Sequence, residues 1–273
     1  SEEAQALQSR LLKAREDHQI YIYKTVKGYQ LEAHIFYPDN FDQKNTYPAL
    51  AAFHGGGWQA GNASWTFESA QQAAQKGMIG VAVEYRLSNR AELTPKEAME
   101  DSRDLIKWLR AKAQSLRIDP NKIVGKGLSA GGHLISAISV LQEEGNQTVP
   151  NALVLVSPAI DTSDGYFKSL LGKGKDPKKL SALENLKADL KIPPTLILQG
   201  RTDRVTPTSF AQAYKAKMDS LGYICQLTIY EGCGHIFTPV HLDDTGTPMP
   251  DPKIMQEAFA EQDKFLRKLG FIK

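Results

Sequence analysis

The sequence predicts an α/β protein with a mostly parallel central sheet and helices on both faces. Two observations carry this. Two β-type runs flank Lys27-Gly28 early in the chain, as in a hairpin. From Tyr47 onward, apolar runs of strand length alternate with amphipathic runs of helix length, the pattern of β-α repeats. The size agrees: 273 residues, 41% of them hydrophobic, suit one α/β domain spanning 1–273 with a sizeable core.

The elements follow in order. Residues 1–18 read as a polar, Ala- and Gln-rich helix with a stripe of Leu7, Leu11 and Leu12. Ile20–Val26 and Leu31–Tyr37 are the hairpin strands, and Tyr47–Phe53 is the next strand, ending in a glycine cluster. Ile79–Tyr85 follows. Thr94-Pro95-Lys96-Glu97 opens a helix: Thr94 caps it, Pro95 suits its first turn and Glu97 completes a capping box. Leu105, Ile106, Trp108, Leu109, Ala113 and Leu116 give that helix its apolar face. Ile123–Leu128 is a strand, and a helix is expected from Ser129 to about Glu143. Ala152–Val156, Thr195–Leu198 and Gln226–Tyr230 complete the strands; Phe210–Leu221 and Lys253–Leu269 are helices. Two stretches break the alternation: Asp161–Leu190, an insert rich in Lys, Gly and Asp, and Thr238–Pro252. Both are expected over the carboxyl ends of the strands, where such sheets place their active sites.

Composition narrows the function. A formal net charge of +2 provides no strong field to steer nucleic acid. Lys173, Lys175, Lys178 and Lys179 read as a solvated loop. No apolar run reaches the length of a membrane span. The chain starts at Ser1 rather than Met, as a secreted or periplasmic protein does after signal removal and as a trimmed one also does, so the compartment stays open. Cys225 and Cys233 form no CxxC or zinc pattern, and are expected as two small buried hydrophobes. No HExxH, no close cluster of histidine with carboxylate and no phosphate-binding Walker pattern is visible, so neither metal nor cofactor is expected. Oligomeric state is not legible.

Two motifs carry chemistry. Gly127-Leu128-Ser129-Ala130-Gly131 fits G-x-S-x-G at a strand-to-helix junction. That turn is so tight that the residues two before and two after the serine must be small, and it lifts the serine Oγ above the sheet edge. His54-Gly55-Gly56-Gly57-Trp58 follows the strand ending at Phe53. It fits the HGGG form of an oxyanion loop, whose glycines let backbone N–H groups approach a developing oxyanion. The expected donors are the N–H groups of Gly56, Gly57 and Ala130, with His54 bracing the loop rather than acting as a base.

With these motifs the chain resembles the α/β-hydrolase superfamily, and within it the hormone-sensitive-lipase-like esterases and their carbohydrate-esterase relatives. The resemblance runs from about Ile20 to the C-terminus, on His54–Trp58, Tyr85-Arg86-Leu87, Gly127–Gly131, Leu180–Leu183 and Gly234-His235. Many lipase-like members carry a large N-terminal helical cap, which residues 1–18 do not supply, so no large cap domain and a fairly open site are expected. The order Ser, acid, His implies Ser129 as nucleophile, Asp203 as the acid and His235 as the general base. Asp161 and Asp164 also follow a strand and are rivals of Asp203. His133, on the helix after the elbow, should point away from the nucleophile. A neutral imidazole is needed to start, so activity should fall at acid pH.

The reaction implied is hydrolysis of a small-molecule or carbohydrate ester, with an acetyl or feruloyl ester of a plant sugar suggested by resemblance alone. Trp58, Trp65 and Tyr166 are the candidate substrate contacts. The HGG-x-W form also resembles formamidases. A peptidase-type amide hydrolase and a non-catalytic binding module compete with the esterase as well.

Overall fold

The computed structural model describes residues 18–90, 92–163 and 165–273. The expected N-terminal helix over 1–18 lies, except for His18, outside the described residues, as does Asp164.

Eight strands form one sheet: β1 (Gln19–Val26), β2 (Tyr29–Phe36), β3 (Tyr47–Phe53), β4 (Ile79–Val83), β5 (Ile118–Leu128), β6 (Ala152–Val156), β7 (Thr195–Gly200) and β8 (Cys225–Tyr230). Their spatial order is β1-β2-β4-β3-β5-β6-β7-β8. β2 is antiparallel to both its neighbours, and every pairing from β4 to β8 is parallel. The hairpin turn is Lys27-Gly28, with φ values of 45° and 82°. Two positive φ values in a two-residue loop match the right-handed twist of the strands it joins.

Apart from the half-buried edge strand β8, the parallel strands are buried on both faces, and alternate side chains enter two separate cores. Ala49, Ala51, Phe53, Ile123, Leu153, Leu155 and Ile197 point to one face. Helices α2 (Pro95–Ala111), α3 (Ala130–Leu141) and α5 (Thr208–Ser220) pack there, together with the short α4 (Gly165–Leu171). Leu50, Ala52, Val124, Val154, Leu196 and Leu198 point to the other, under α1 (Phe67–Gln75) and α6 (Pro252–Lys268). Each fully buried Leu, Ile, Val or Phe contributes about 1.5–3 kcal/mol by leaving water. The fold is thus the mostly parallel sheet with helices on both faces that the sequence predicts. α2 begins with the expected capping box: Thr94 Oγ1 accepts from the Lys96 N–H, and the Thr94 N–H donates to Glu97.

Some boundaries move. α2 ends at Ala111, a separate turn spans Ala113–Leu116, and Arg117 reverses the chain with φ 64°. β5 starts at Ile118 rather than Ile123, because Ile118 pairs with Tyr47 before an irregularity in register. α3 stops at Leu141, since Gln142 takes a left-handed conformation. Helix α1 is not predicted by the sequence. Its buried side is Phe67, Ser69, Ala70 and Ala73, too small and mixed to show as an apolar stripe. The small residues let it press on β4: a Cβ at Gly80 would run into the Ala70 carbonyl. Both cysteines are buried with free thiols, and burial pushes Cys225 up to about 12 and Cys233 to about 11.

Candidate active site

The elbow between β5 and α3 places Ser129. Its backbone is strained, at φ 53° and ψ −114°. Three hydrogen bonds hold it: the Ser129 N–H donates to Val156 O (3.0 Å), and the Ser129 carbonyl accepts from His133 N and Ala159 N (both 3.1 Å). A Cβ on Gly127 would run into the Gly131 carbonyl, and one on Gly131 into the Phe53 carbonyl. The glycines are therefore what lets the turn close.

The loops after β7 and β8 bring Asp203 and His235 to the same end of the sheet. His235 Nε2 lies 3.0 Å from Ser129 Oγ, and His235 Nδ1 lies 2.9 Å from Asp203 Oδ2. The Asp203 side chain is fully buried. Its Oδ1 accepts from the N–H groups of Val205 (2.9 Å) and Thr206 (2.7 Å). Its Oδ2 also accepts from Gln199 Nε2 (3.3 Å) and stands 2.9 Å from Thr206 Oγ1. The set of partners fixes which way Asp203 faces, so His235 Nδ1–H has an acceptor and Nε2 is directed at the serine. Of the rivals, Asp161 accepts from Ser163 N and Ser181 Oγ and makes a local turn; Asp164 lies outside the described residues.

The glycine loop after β3 packs directly on the elbow. A Cβ on Gly55 would sit 3.3 Å from Ser129 Cβ. Gly56 and Gly57 have φ values of 113° and 61°, and a Cβ on Gly56 would run into the Ala60 carbonyl. Among the described residues, no carbonyl or side chain accepts from the N–H groups of Gly56, Gly57 and Ala130. Ala130 opens α3, so its N–H is one that the helix cannot satisfy. His54 braces this loop as expected. Its Nδ1–H donates to Gly55 O (2.6 Å), its ring stacks on Tyr85 at 4.2 Å, and the Tyr85 hydroxyl donates to His54 O (2.6 Å). Burial lowers its pKa to about 4, so it is neutral.

The three aromatic side chains divide. Trp58 is buried, with edge contacts to His133 and Phe167. Its Nε1–H donates to His133 Nδ1 (3.1 Å), and His133 Nε2–H donates to Leu180 O (2.9 Å). The expectation that Trp58 contacts substrate is therefore corrected: its indole is used to tie the glycine loop to α3. Burial holds His133 near 4 as well, and its ring is bonded to Trp58 and Leu180 rather than to the Ser129 hydroxyl. Trp65 is 56% exposed and lies beside Gly56. Tyr166 is half-exposed, and its hydroxyl donates to Gly57 O (3.2 Å) or Gln59 Oε1 (3.0 Å). Both therefore lie against the glycine loop.

Sequence reasoning missed Asp244. Its buried carboxylate joins both loops of the triad: Oδ2 accepts from His235 N (2.9 Å) and Arg204 N (3.2 Å), while Oδ1 accepts from Arg204 Nε (2.7 Å). Burial alone would raise its pKa, but those hydrogen bonds and the Arg204 charge bring it below the usual carboxylate range. A Cβ on Gly234 would collide with this carboxylate, which explains the glycine before the histidine. Ser157 Oγ accepts from Ile236 N (3.0 Å) and steadies the same turn. Nothing local marks Asp244, because it lies in the Pro- and Asp-rich loop where aspartates are usually turn formers.

A second correction concerns histidine and carboxylate. The folded chain does gather such a cluster: Glu32, His34 and Glu84. Glu32 and His34 are two apart on β2 and so share a face, and β4 leads into Glu84.

The chain is similar to known hydrolases and esterases. The BD-FAE family profile matches residues 34–163. An acetylxylan esterase of Xylanibacter ruminicola is 29% identical over 69% of this chain, and the chain spans 41% of that protein's length. AB hydrolase superfamily protein C1039.03 of Schizosaccharomyces pombe is 26% identical over 74% of the chain and 66% of its own length. Among solved structures, the thermophilic esterase Est2 of Thermogutta terrifontis with propionate bound superposes with a TM-score of 0.81. It is 28% identical, over 94% of this chain and 96% of that one.

Proposed function

This chain belongs to the α/β-hydrolase superfamily, and on that premise we propose that it is a serine carboxylesterase acting on short-chain acyl esters through Ser129, His235 and Asp203. The observation that carries the reading is the hydrogen-bonded run from Ser129 Oγ through the imidazole to a buried carboxylate, beside three N–H groups that no atom of the described chain accepts from.

The chemistry follows from that geometry. Neutral His235 takes the Ser129 proton at Nε2 as Oγ attacks the ester carbonyl. Asp203 holds Nδ1–H and stabilises the imidazolium that forms. The carbonyl oxygen becomes an oxyanion and accepts from Gly56, Gly57 and Ala130 N–H; fixed donors of this kind are worth about 2.7–4 kcal/mol each in kcat. His235 then gives its proton to the leaving alcohol. Water, deprotonated at the same nitrogen, hydrolyses the acyl-enzyme.

The proposed substrates are short acyl esters, with acetyl or feruloyl esters of plant carbohydrates as the natural class. The similarity to an acetylxylan esterase supports the carbohydrate side, and the propionate in Est2 supports a short acyl group. Exposed Trp65 and Tyr166 are the aromatic surfaces available to a sugar or a feruloyl ring. The test is a comparison of initial rates on p-nitrophenyl acetate, butyrate and octanoate, acetylated xylan and an N-formyl amide. Acetate and butyrate should exceed octanoate, with release of acetate from xylan. Hydrolysis of the amide with none of any ester would overturn the reading.

A further inference from the structure

Thr206 lies in the loop after β7, just beyond Asp203, and is buried. Its Oγ1 is 2.9 Å from Asp203 Oδ2, 3.1 Å from His235 Nδ1 and 3.0 Å from Ser157 O. Its backbone N–H donates to Asp203 Oδ1 (2.7 Å). One residue thus meets both oxygens of the acid, the imidazole nitrogen that faces away from the serine, and the chain leaving β6. We propose that Thr206 is a positioning residue: its hydroxyl is a second acceptor for His235 Nδ1–H and locks the imidazole in the orientation that presents Nε2 to Ser129. This inference rests on the esterase reading and deepens it.

The placement of protons supports it. Nε2 must be bare to take the Ser129 proton, so the neutral ring carries its hydrogen on Nδ1. Nδ1 then has no lone pair to offer, and the Thr206 O–H donates to Asp203 Oδ2 or to Ser157 O. In either case Oγ1 keeps a lone pair for Nδ1–H. A ring turned over about its Cβ–Cγ bond would set Cδ2–H against Oδ2 and Oγ1, and Cε1–H against the serine. It would lose both acceptors instead of one, so the hydroxyl disfavours the unproductive ring.

The same hydroxyl ties the triad to the sheet. Ser157 follows β6 directly and has a left-handed backbone, φ 43°. Its N–H donates to Leu198 O (2.9 Å) in β7, and its Oγ accepts from Ile236 N (3.0 Å), the residue after the base. Val156, just before it, accepts from Ser129 N (3.0 Å). The loops of nucleophile, acid and base therefore converge on Val156 and Ser157, and Thr206 joins the acid and the base to that point.

The experiment compares Thr206→Val, which keeps the shape without the hydroxyl, with Thr206→Ser, which keeps the hydroxyl. On p-nitrophenyl acetate, Thr206→Val should lower kcat about 10-fold, the size of one ordinary hydrogen bond, with KM within about 2-fold of wild type. Thr206→Ser should recover most of that loss. A second readout needs no turnover: the His235 Nδ1–H resonance in protein labelled with ¹⁵N-histidine. It should shift and exchange faster with water in Thr206→Val, and stay near its wild-type position in Thr206→Ser. Circular dichroism checks the fold, and should Thr206→Val lose it, Thr206→Ala is read in its place. The proposal is overturned if the folded variant without the hydroxyl keeps wild-type kcat, if its Nδ1–H resonance is unmoved, or if Thr206→Ser falls as far. Wild type no faster than Ser129→Ala would instead overturn the esterase reading, and the resonance would still decide whether Thr206 holds the ring.

Discussion

Lys126 is a charged side chain inside the second core, one residue before the elbow glycine, and replacing it with Met should stabilise the protein. It is 4% exposed, with its amine 4.5 Å from the centre of the Phe259 ring and with Leu128, Val156, Leu198 and Phe237 around it. Burial lowers its pKa from 10.5 to about 8, with Glu68 and Asp263 pulling weakly the other way. Below pH 8 both folded and unfolded chains carry the proton, and the folded state bears the penalty of a buried ammonium. Between about 8 and 10.5 the unfolded chain keeps the proton that the folded chain has lost, so stability rises with pH. A difference of about 2.5 units is a penalty of about 3 kcal/mol at pH 7. Lys126→Met removes it but also loses the ring contact, worth about 0.5–2 kcal/mol. The net gain is about 2 kcal/mol, or about 4–8 °C in Tm for a chain of this size. Urea unfolding followed by circular dichroism at pH 7 and pH 10 measures it. The variant should be more stable at pH 7, with the advantage gone by pH 10. A variant less stable at pH 7, or an advantage independent of pH, would refute the reasoning.

Two further predictions concern acid stability and the base loop. His54 and His133 are both lowered to about 4 by burial, so between pH 6.5 and 4 the unfolded chain binds more protons than the folded one. Each should therefore withdraw up to about 3 kcal/mol as pH falls through that window; urea unfolding at pH 7 and 4.5 checks it, and equal stability at both would contradict it. Asp244→Asn keeps the shape but surrenders the charge held by Arg204 and the two backbone N–H groups. Misplacing His235 should lower kcat by about 10-fold or more with KM little changed. A raised KM with kcat intact would instead put Asp244 in substrate binding.

Local chemistry is legible in the sequence and tertiary chemistry is not. The elbow can be read because Gly127 and Gly131 are required by contacts with chain close in sequence or in the adjacent strand, and β4, β6 and β7 can be read because each is a short buried run. Asp203 and His235 are loop residues whose meaning comes from order along the chain, and the fold brings them within hydrogen-bond reach of each other and of Ser129. Asp244 gains its role only once the loops after β7 and β8 meet, and no spacing encodes that. Trp58 reads as a ligand contact because aromatic residues near a glycine loop have two uses, and only its partner His133, 75 residues on, decides for the core. The Glu32 and His34 pair is visible as an i, i+2 pattern on a strand, but Glu84 joins it only through the β2–β4 pairing.

The central claim is that Ser129 is the nucleophile of an acyl-transfer site. Incubation with diethyl p-nitrophenyl phosphate, followed by peptide mass spectrometry and a parallel esterase assay, tests it most directly. One diethylphosphoryl adduct is predicted, on the peptide containing Ser129, formed in step with loss of activity and absent from an inactive Ser129→Ala. An adduct elsewhere, or a Ser129→Ala enzyme that hydrolyses p-nitrophenyl acetate as fast as wild type, would contradict it.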